Sequence, residues 1–211
     1  MAEINNKVYL KVWGENACFT RPEMKVERVS YDVMTPSSAR AILEAILWKP
    51  SIRWVITQID VLKPIRWESV RRSEVANIIS TKNVTSAMAS GKGYLGLYIE
   101  DERQQRAGLF LRDVAYTIHA RCLLTAKARP EDNLIKYLEM FRRRAGSGQC
   151  FTQPYLGCRE FSAYFELVNS EQDLPTPIDY SCDLGWMLHD LDYSSSIPTP
   201  FFFRAEMAAG R

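Results

Sequence analysis

In the stretch PEDNLIKYLEMFRRRAG, residues 130–146, a lysine and a tyrosine stand side by side. Lys136 and Tyr137 are followed along the same segment by Arg142, Arg143 and Arg144. Such a set suits a phosphodiester that carries its own nucleophile, the RNA 2′-hydroxyl. A protein acting on it need only align that oxygen with the adjacent phosphate, assist proton transfer and stabilise the developing charge. Helical spacing also places Tyr137 with Leu134 and Phe141 on an apolar stripe, so a packing role stands beside the chemical one.

Other chemistries find less support. The nearest approach to a metal-ligand cluster is LHDLD, residues 188–192, which reads as an acidic patch at a turn edge. The two histidines, His119 and His189, and the lack of any CxxC pair argue against zinc. Neither a nucleophile elbow nor a phosphate-binding Walker loop is present. No metal and no cofactor is expected.

The net charge of +2 does not by itself call for nucleic acid, but the basic residues cluster: VRR at 70–72, RQQR at 103–106 and FRRR at 141–144. The long connection TRPEMKVERVSYDVMTPSSARA, residues 20–41, adds Arg21, Lys25 and Arg28 with an exposed-looking Tyr31. At 46% hydrophobic and 25% charged residues, the chain has the makeup of a globular protein with a core of its own. No apolar run is long enough to span a bilayer and no secretory leader is readable, so no membrane partner is expected and the location reads as cytoplasmic. Five cysteines, an odd count without a leader, read as reduced thiols.

These residues need elements to position them. KVYLKVWG (7–14) alternates as a strand, with Val8, Leu10 and Val12 on one face. Thr35-Pro36 predicts a helix start, and Ala39, Ile42, Leu43, Ile46 and Leu47 supply its buried stripe, up to Pro50. Strands are predicted over 51–65, 113–126 and 154–168, with a hairpin and mobile loop between 66 and 110. In the second of these segments Thr117, His119 and Arg121 share one face. A second helix is expected over 130–146. The order β-α-β-hairpin-β-α-β is the α+β, ferredoxin-like (RRM-type) plan, with helices on one sheet face and the other left free. It would occupy residues 1–169, with 170–211 as a small β-rich appendage of short, proline-punctuated strands.

Five stretches then carry a resemblance: VWGENACFTRPEMKVERVSYDVMTPSSARAILEAILWKPSIRW, VRRSEV, RQQRAGLFLRDVAY, EDNLIKYLEMFRRRA and QPYLGCREF. They resemble the CRISPR-associated repeat-processing subunit of type I-C Cascade, Cas family five, d subtype. The likeness runs from about residue 8 into the tail LGWMLHDLDY…PTPFFFRA.

The resemblance implies a ferredoxin-like domain with a β-rich C-terminal part. It also implies a metal-independent endoribonuclease that cuts precursor CRISPR RNA at the repeat hairpin and stays on the RNA handle. Its partners would be CRISPR repeat RNA and other Cascade subunits, with double-stranded DNA left open. The family's catalytic set is Tyr, Lys and His. Here Lys136 matches the lysine, Tyr137 stands where the histidine is expected, and Leu47 stands where the first-helix Tyr or His is expected. Relatives often carry a His near position 121, which is Arg121 here, with His119 two residues earlier. The chain ends at EMAAGR, earlier than the resemblance implies for relatives. Arg21, Lys25, Arg28, Arg71, Arg72 and Arg142–Arg144 are the expected RNA contacts. A non-catalytic subunit that binds the RNA handle remains the alternative.

Overall fold

The computed structural model describes residues 6–24 and 26–211. The expected contact at Lys25 lies outside the described residues. The chain divides into two compact units, Met1–Glu68 with Leu109–Arg211, and Ser69–Gly108.

The first unit is built on strands β1 (Lys7–Ala17), β2 (Ile52–Val61), β4 (Arg103–Leu124, from Leu109 onward) and β5 (Tyr164–Val168). They lie in the order β2-β4-β1-β5, with antiparallel pairing throughout that path. Strand β3 (Trp67–Val75) is the fifth of the sheet and pairs with β4. Register puts Val8 opposite Ala120 and Leu10 opposite Ile118. That face is apolar and is covered by helices α1 (Pro36–Ile46) and α4 (Leu134–Gly146).

Helix α1 starts where the sequence predicts. The Thr35 hydroxyl accepts the Ser38 N–H, and Pro36 opens the first turn, where no N–H is needed. Its buried residues are Ala39, Ile42, Leu43 and Ile46. Helix α4 is capped by Asn133, whose side chain accepts the Ile135 N–H at 2.9 Å. It buries Tyr137, Leu138, Phe141 and Ala145, and Phe141 lies 4.6 Å from the Trp54 ring of β2.

The opposite sheet face is not free, contrary to the sequence-based expectation. Tyr9, Asp60 and Thr117 point there and all are buried. The chain after β5 returns to this side: Glu171 takes the Tyr9 hydroxyl, and the Ile178 N–H donates to Val61 O at 2.9 Å. The returning segment gives the Tyr9 hydroxyl its partner, while Asp60 is held by Gln58 and His119 of the sheet itself.

The tail forms a hairpin of two full-length strands, β6 (Cys182–Asp192) and β7 (Thr199–Met207), rather than several short ones. Residues 170–211 thus have a sheet of their own, yet they belong to the first unit. Met187, Ala205 and Met207 join its core, and Arg40 of α1 donates to Asp190 at 2.9 Å. That ion pair, and Asp192 accepting the Ser194 N–H at 2.9 Å, give the LHDLD acids structural work. Two further segments differ from expectation. Residues 154–163 are irregular, so β5 begins only at Tyr164. Tyr31 is buried at 1% exposure, because the loop folds back on itself through the Thr20–Ser30 bridge.

In the second unit, β3 from Ser69 pairs with the first part of β4, and Arg106 meets Glu74 at 3.3 Å. Between them in the chain are helices α2 (Thr81–Ser90) and α3 (Ile99–Glu102). Helix α2 replaces the loop expected there. It buries no residue and closes on Gly91 in the left-handed conformation, so it lacks the apolar stripe that would announce it.

Candidate functional site

Helix α4 carries the lysine–tyrosine pair, and the turn before it fixes how the pair is presented. Asp132 accepts the Arg129 N–H at 2.8 Å, the Ser51 hydroxyl at 2.7 Å and the Tyr137 hydroxyl. The Tyr137 bond, then those from Arg129 and Ser51, hold the Asp132 carboxyl down at about 2. The same carboxylate pushes the Tyr137 phenol up, so Tyr137 stays protonated at neutral pH and is no base. Tyr137 is therefore buried as its spacing predicts, while its hydroxyl ties α4 to the start of β2.

Lys136, the neighbouring residue, is exposed, and among the described residues none pairs with it. Arg143 lies seven residues further, on the same side of the helix, and is likewise exposed. Its two neighbours have structural contacts. Arg144 donates to Ile46 O at 2.9 Å, capping the end of α1, where a cation is favoured. Arg142 reaches Lys7 O at 3.4 Å and remains exposed.

Leu47 caps α1 and is fully buried; its carbonyl accepts the Trp54 indole N–H at 2.9 Å. The position where the family's first-helix Tyr or His is expected is thus core in this chain. Leu47→Tyr is expected to overpack it and cost about 1–3 kcal/mol, against less than about 1.5 for Leu47→Met. Urea denaturation measures both.

The basic loop is less open than its composition implies. Arg21 pairs with Asp32 at 3.3 Å and lies 4.5 Å from the Tyr31 ring centre. Arg28 donates to Glu160 at 2.8 Å. Arg71 and Arg72 lie on β3 in the second unit, Arg71 exposed and Arg72 half-buried.

A second polar cluster is not legible in the sequence as a unit. His119 Nε2 lies 2.8 Å from Asp60 Oδ2, and the Gln58 amide donates to Asp60 Oδ1 at 2.6 Å. Tyr9 meets the His119 ring edge-on at 5.1 Å, and its hydroxyl donates to Glu171, which also accepts from Lys7 at 3.0 Å. Burial, then the Glu171 bond, push the Tyr9 phenol up to about 12. A cleft of about 410 Å³ borders the cluster, lined by Asp60, His119, Glu171, Pro175, Pro177 and Arg211 among others. Alternation had put His119 on this face, but its partner on β2 requires the strand register. Among the described residues no group of three or more His, Cys, Asp or Glu is placed to hold a metal ion.

Burial opposes ionisation of Asp60, but the His119 and Gln58 bonds and the nearby Arg211 outweigh it and hold its pKa below the usual carboxylate range. A carboxyl depressed by folding stabilises above its unfolded pKa of about 4, and that contribution is lost as pH falls through the folded value. His119→Phe is therefore expected to cost about 2 kcal/mol at neutral pH, and the gap to the parent should narrow at about pH 3. Urea titrations at both pH values provide the check.

Residues 8–211 match the model of the Cas5d family, described as CRISPR-associated protein (Cas_Cas5). A protein of Mannheimia succiniciproducens named CRISPR pre-crRNA endoribonuclease Cas5d is 55% identical over 97% of this chain and 93% of its own length. A Thermus thermophilus protein of the same name is 46% identical over 89% of this chain and 74% of its own. A crystal structure of a CRISPR-associated protein superposes with TM-score 0.69 at 21% identity, covering 97% of this chain and 89% of that one.

Proposed function

The chain belongs to the Cas5d family of CRISPR-associated proteins, and from that premise we propose that it is the endoribonuclease that cuts precursor CRISPR RNA within the repeat. It acts on CRISPR repeat RNA and works with the other subunits of a Cascade complex. The observation that carries this is the identity to two pre-crRNA endoribonucleases over nearly the whole chain.

The first unit reads as a ferredoxin-like domain. The order β2-β4-β1-β5, with α1 between β1 and β2 and α4 between β4 and β5, supports that reading. Residues 170–211 read as its β-rich appendage, docked on α1.

Cleavage proceeds by attack of the 2′-oxygen on the adjacent phosphorus, its proton passing to solvent; the bond from phosphorus to the 5′-oxygen breaks, and that oxygen leaves and takes up a proton from solvent. Lys136 stabilises the charge that builds on the phosphoryl oxygens, while Tyr137, whose one hydroxyl proton is held by Asp132, acts behind it by fixing the start of the helix that presents the lysine. Arg143 and Arg142 grip the backbone along the same helix, with Arg144 behind them holding α1 in place. Arg21 and Arg28 serve as positioning contacts at the loop, and Arg71 and Arg72 as contacts of the second unit.

The test is incubation of the protein with its cognate repeat hairpin in excess EDTA. Cleavage to a 2′,3′-cyclic phosphate and a 5′-hydroxyl end is expected, and strict dependence on added Mg²⁺ overturns the mechanism. Binding without any cutting over hours, protein in excess, would make the chain a handle-binding subunit instead.

A further inference from the structure

Cys18 and Cys158 are far apart in sequence and meet at the end of β1. The Cys18 N–H donates to Leu156 O at 3.0 Å, which draws the segment 156–158 alongside. Gly157 makes the approach possible: its φ is +83°, and a Cβ there would lie 2.1 Å from Cys18 O. Cys158 Sγ then sits 3.6 Å from Cys18 O. The Thr20 hydroxyl bridges the two sulfurs, 3.4 Å from Cys18 Sγ and 3.7 Å from Cys158 Sγ. Cys18 is fully buried and Cys158 half-buried, so small reagents meet Cys158 first. Both are free thiols.

We propose that Cys18 and Cys158 form a reactive dithiol that takes low-molecular-weight disulfides and is closed by them into an internal disulfide. The Cys158 thiolate attacks one sulfur of the small disulfide; that S–S bond breaks and one small thiolate leaves, taking up a proton. Cys18 then loses its proton to solvent and attacks Cys158 Sγ, expelling the second small thiol. Two protein thiols are oxidised and one small disulfide is reduced to two thiols.

The surroundings suit this order of events. The Cys18 S–H bond to Cys158, against burial and with help from Thr20 and Arg28, brings the Cys158 thiol down to about 6, while Glu160 opposes the shift. Cys18 moves up, chiefly because it shares that proton with Cys158. Once Cys158 is capped its negative charge is gone, and with it the largest cause holding Cys18 up, leaving burial as the remaining one.

The experiment exposes the full chain to oxidised glutathione and maps peptides by mass spectrometry without reduction. The parent should lose two hydrogens, link the peptides carrying Cys18 and Cys158, and keep no glutathione. Cys18→Ser should keep one glutathione on Cys158, and Cys158→Ser should form neither product. A retained adduct on parent Cys158 without the link, or reaction confined to Cys150 or Cys182, overturns the proposal. The parent alone supplies a second measurement free of folding effects. Alkylation of Cys158 by iodoacetamide should show a midpoint well below the free-thiol value. A midpoint at about 8.5, the free-thiol value, counts against it.

Discussion

A repeat hairpin carrying one 2′-deoxy nucleotide immediately 5′ of the scissile phosphate will be bound and left whole. In the proposed reaction the protein supplies no nucleophile. Tyr137 is protonated and bonded to Asp132. The attacking oxygen is therefore the substrate's own, and deleting it removes the reaction rather than slowing it. Binding should survive, since phosphate contacts do not need the 2′-oxygen of a single residue. The measurement is a single-turnover time course beside the all-ribose hairpin, with a filter-binding titration of both. Cleavage of the deoxy substrate would require a bound water or a protein nucleophile and would end this mechanism.

Lys136→Ala should lower the single-turnover rate by roughly 10²-fold, the scale of losing one preorganised charge stabiliser. Its affinity for the hairpin should change little, because one contact is a small share of a multi-phosphate interface. Arg143→Ala should do the reverse. It should weaken binding and flatten the dependence of log affinity on log salt by about one unit, while cleavage of fully bound RNA stays near the parent rate. The exposure of both side chains on one side of α4 makes the contrast clean, since neither change disturbs the core. Arg144→Ala does not offer that contrast, because its guanidinium holds the Ile46 carbonyl. A Lys136→Ala protein that cuts like its parent would make Lys136 a solvated surface residue.

What the chain reveals by reading depends on how local each feature is. Thr35-Pro36 and the stripe from Ala39 to Ile46 are legible because capping and helical period lie within one segment. Tyr137 is legible as buried for the same reason, but its bond to Asp132 and the link through Ser51 need the approach of β2 to α4. Tyr31 reads as exposed because its surroundings in sequence are polar, whereas in space they are the backbone of its own folded loop and the Arg21 guanidinium. The His119–Asp60 pair depends on the register of two strands and on the bulge between Ile56 and Gln58. Helix α2 escapes detection because none of its residues is buried, leaving only propensity to mark it. The open sheet face fails as an expectation because a fold plan says nothing about where the chain goes after its last strand.

The strand order has a consequence for how the molecule is made. β1 leaves the ribosome before its partners, and it ends up between β4 and β5. Both neighbours follow well after β1 in the chain, so its backbone edges wait unpaired until β4 and β5 have been made. Helix α1 is in the same position, since part of its surface awaits β6. Pairing that joins distant parts of a sequence is slow, and apolar segments left waiting invite association with other chains. Nascent copies are thus most vulnerable to aggregation before release, and recombinant yield should depend more on synthesis rate and chaperone supply than on the stability of the finished protein.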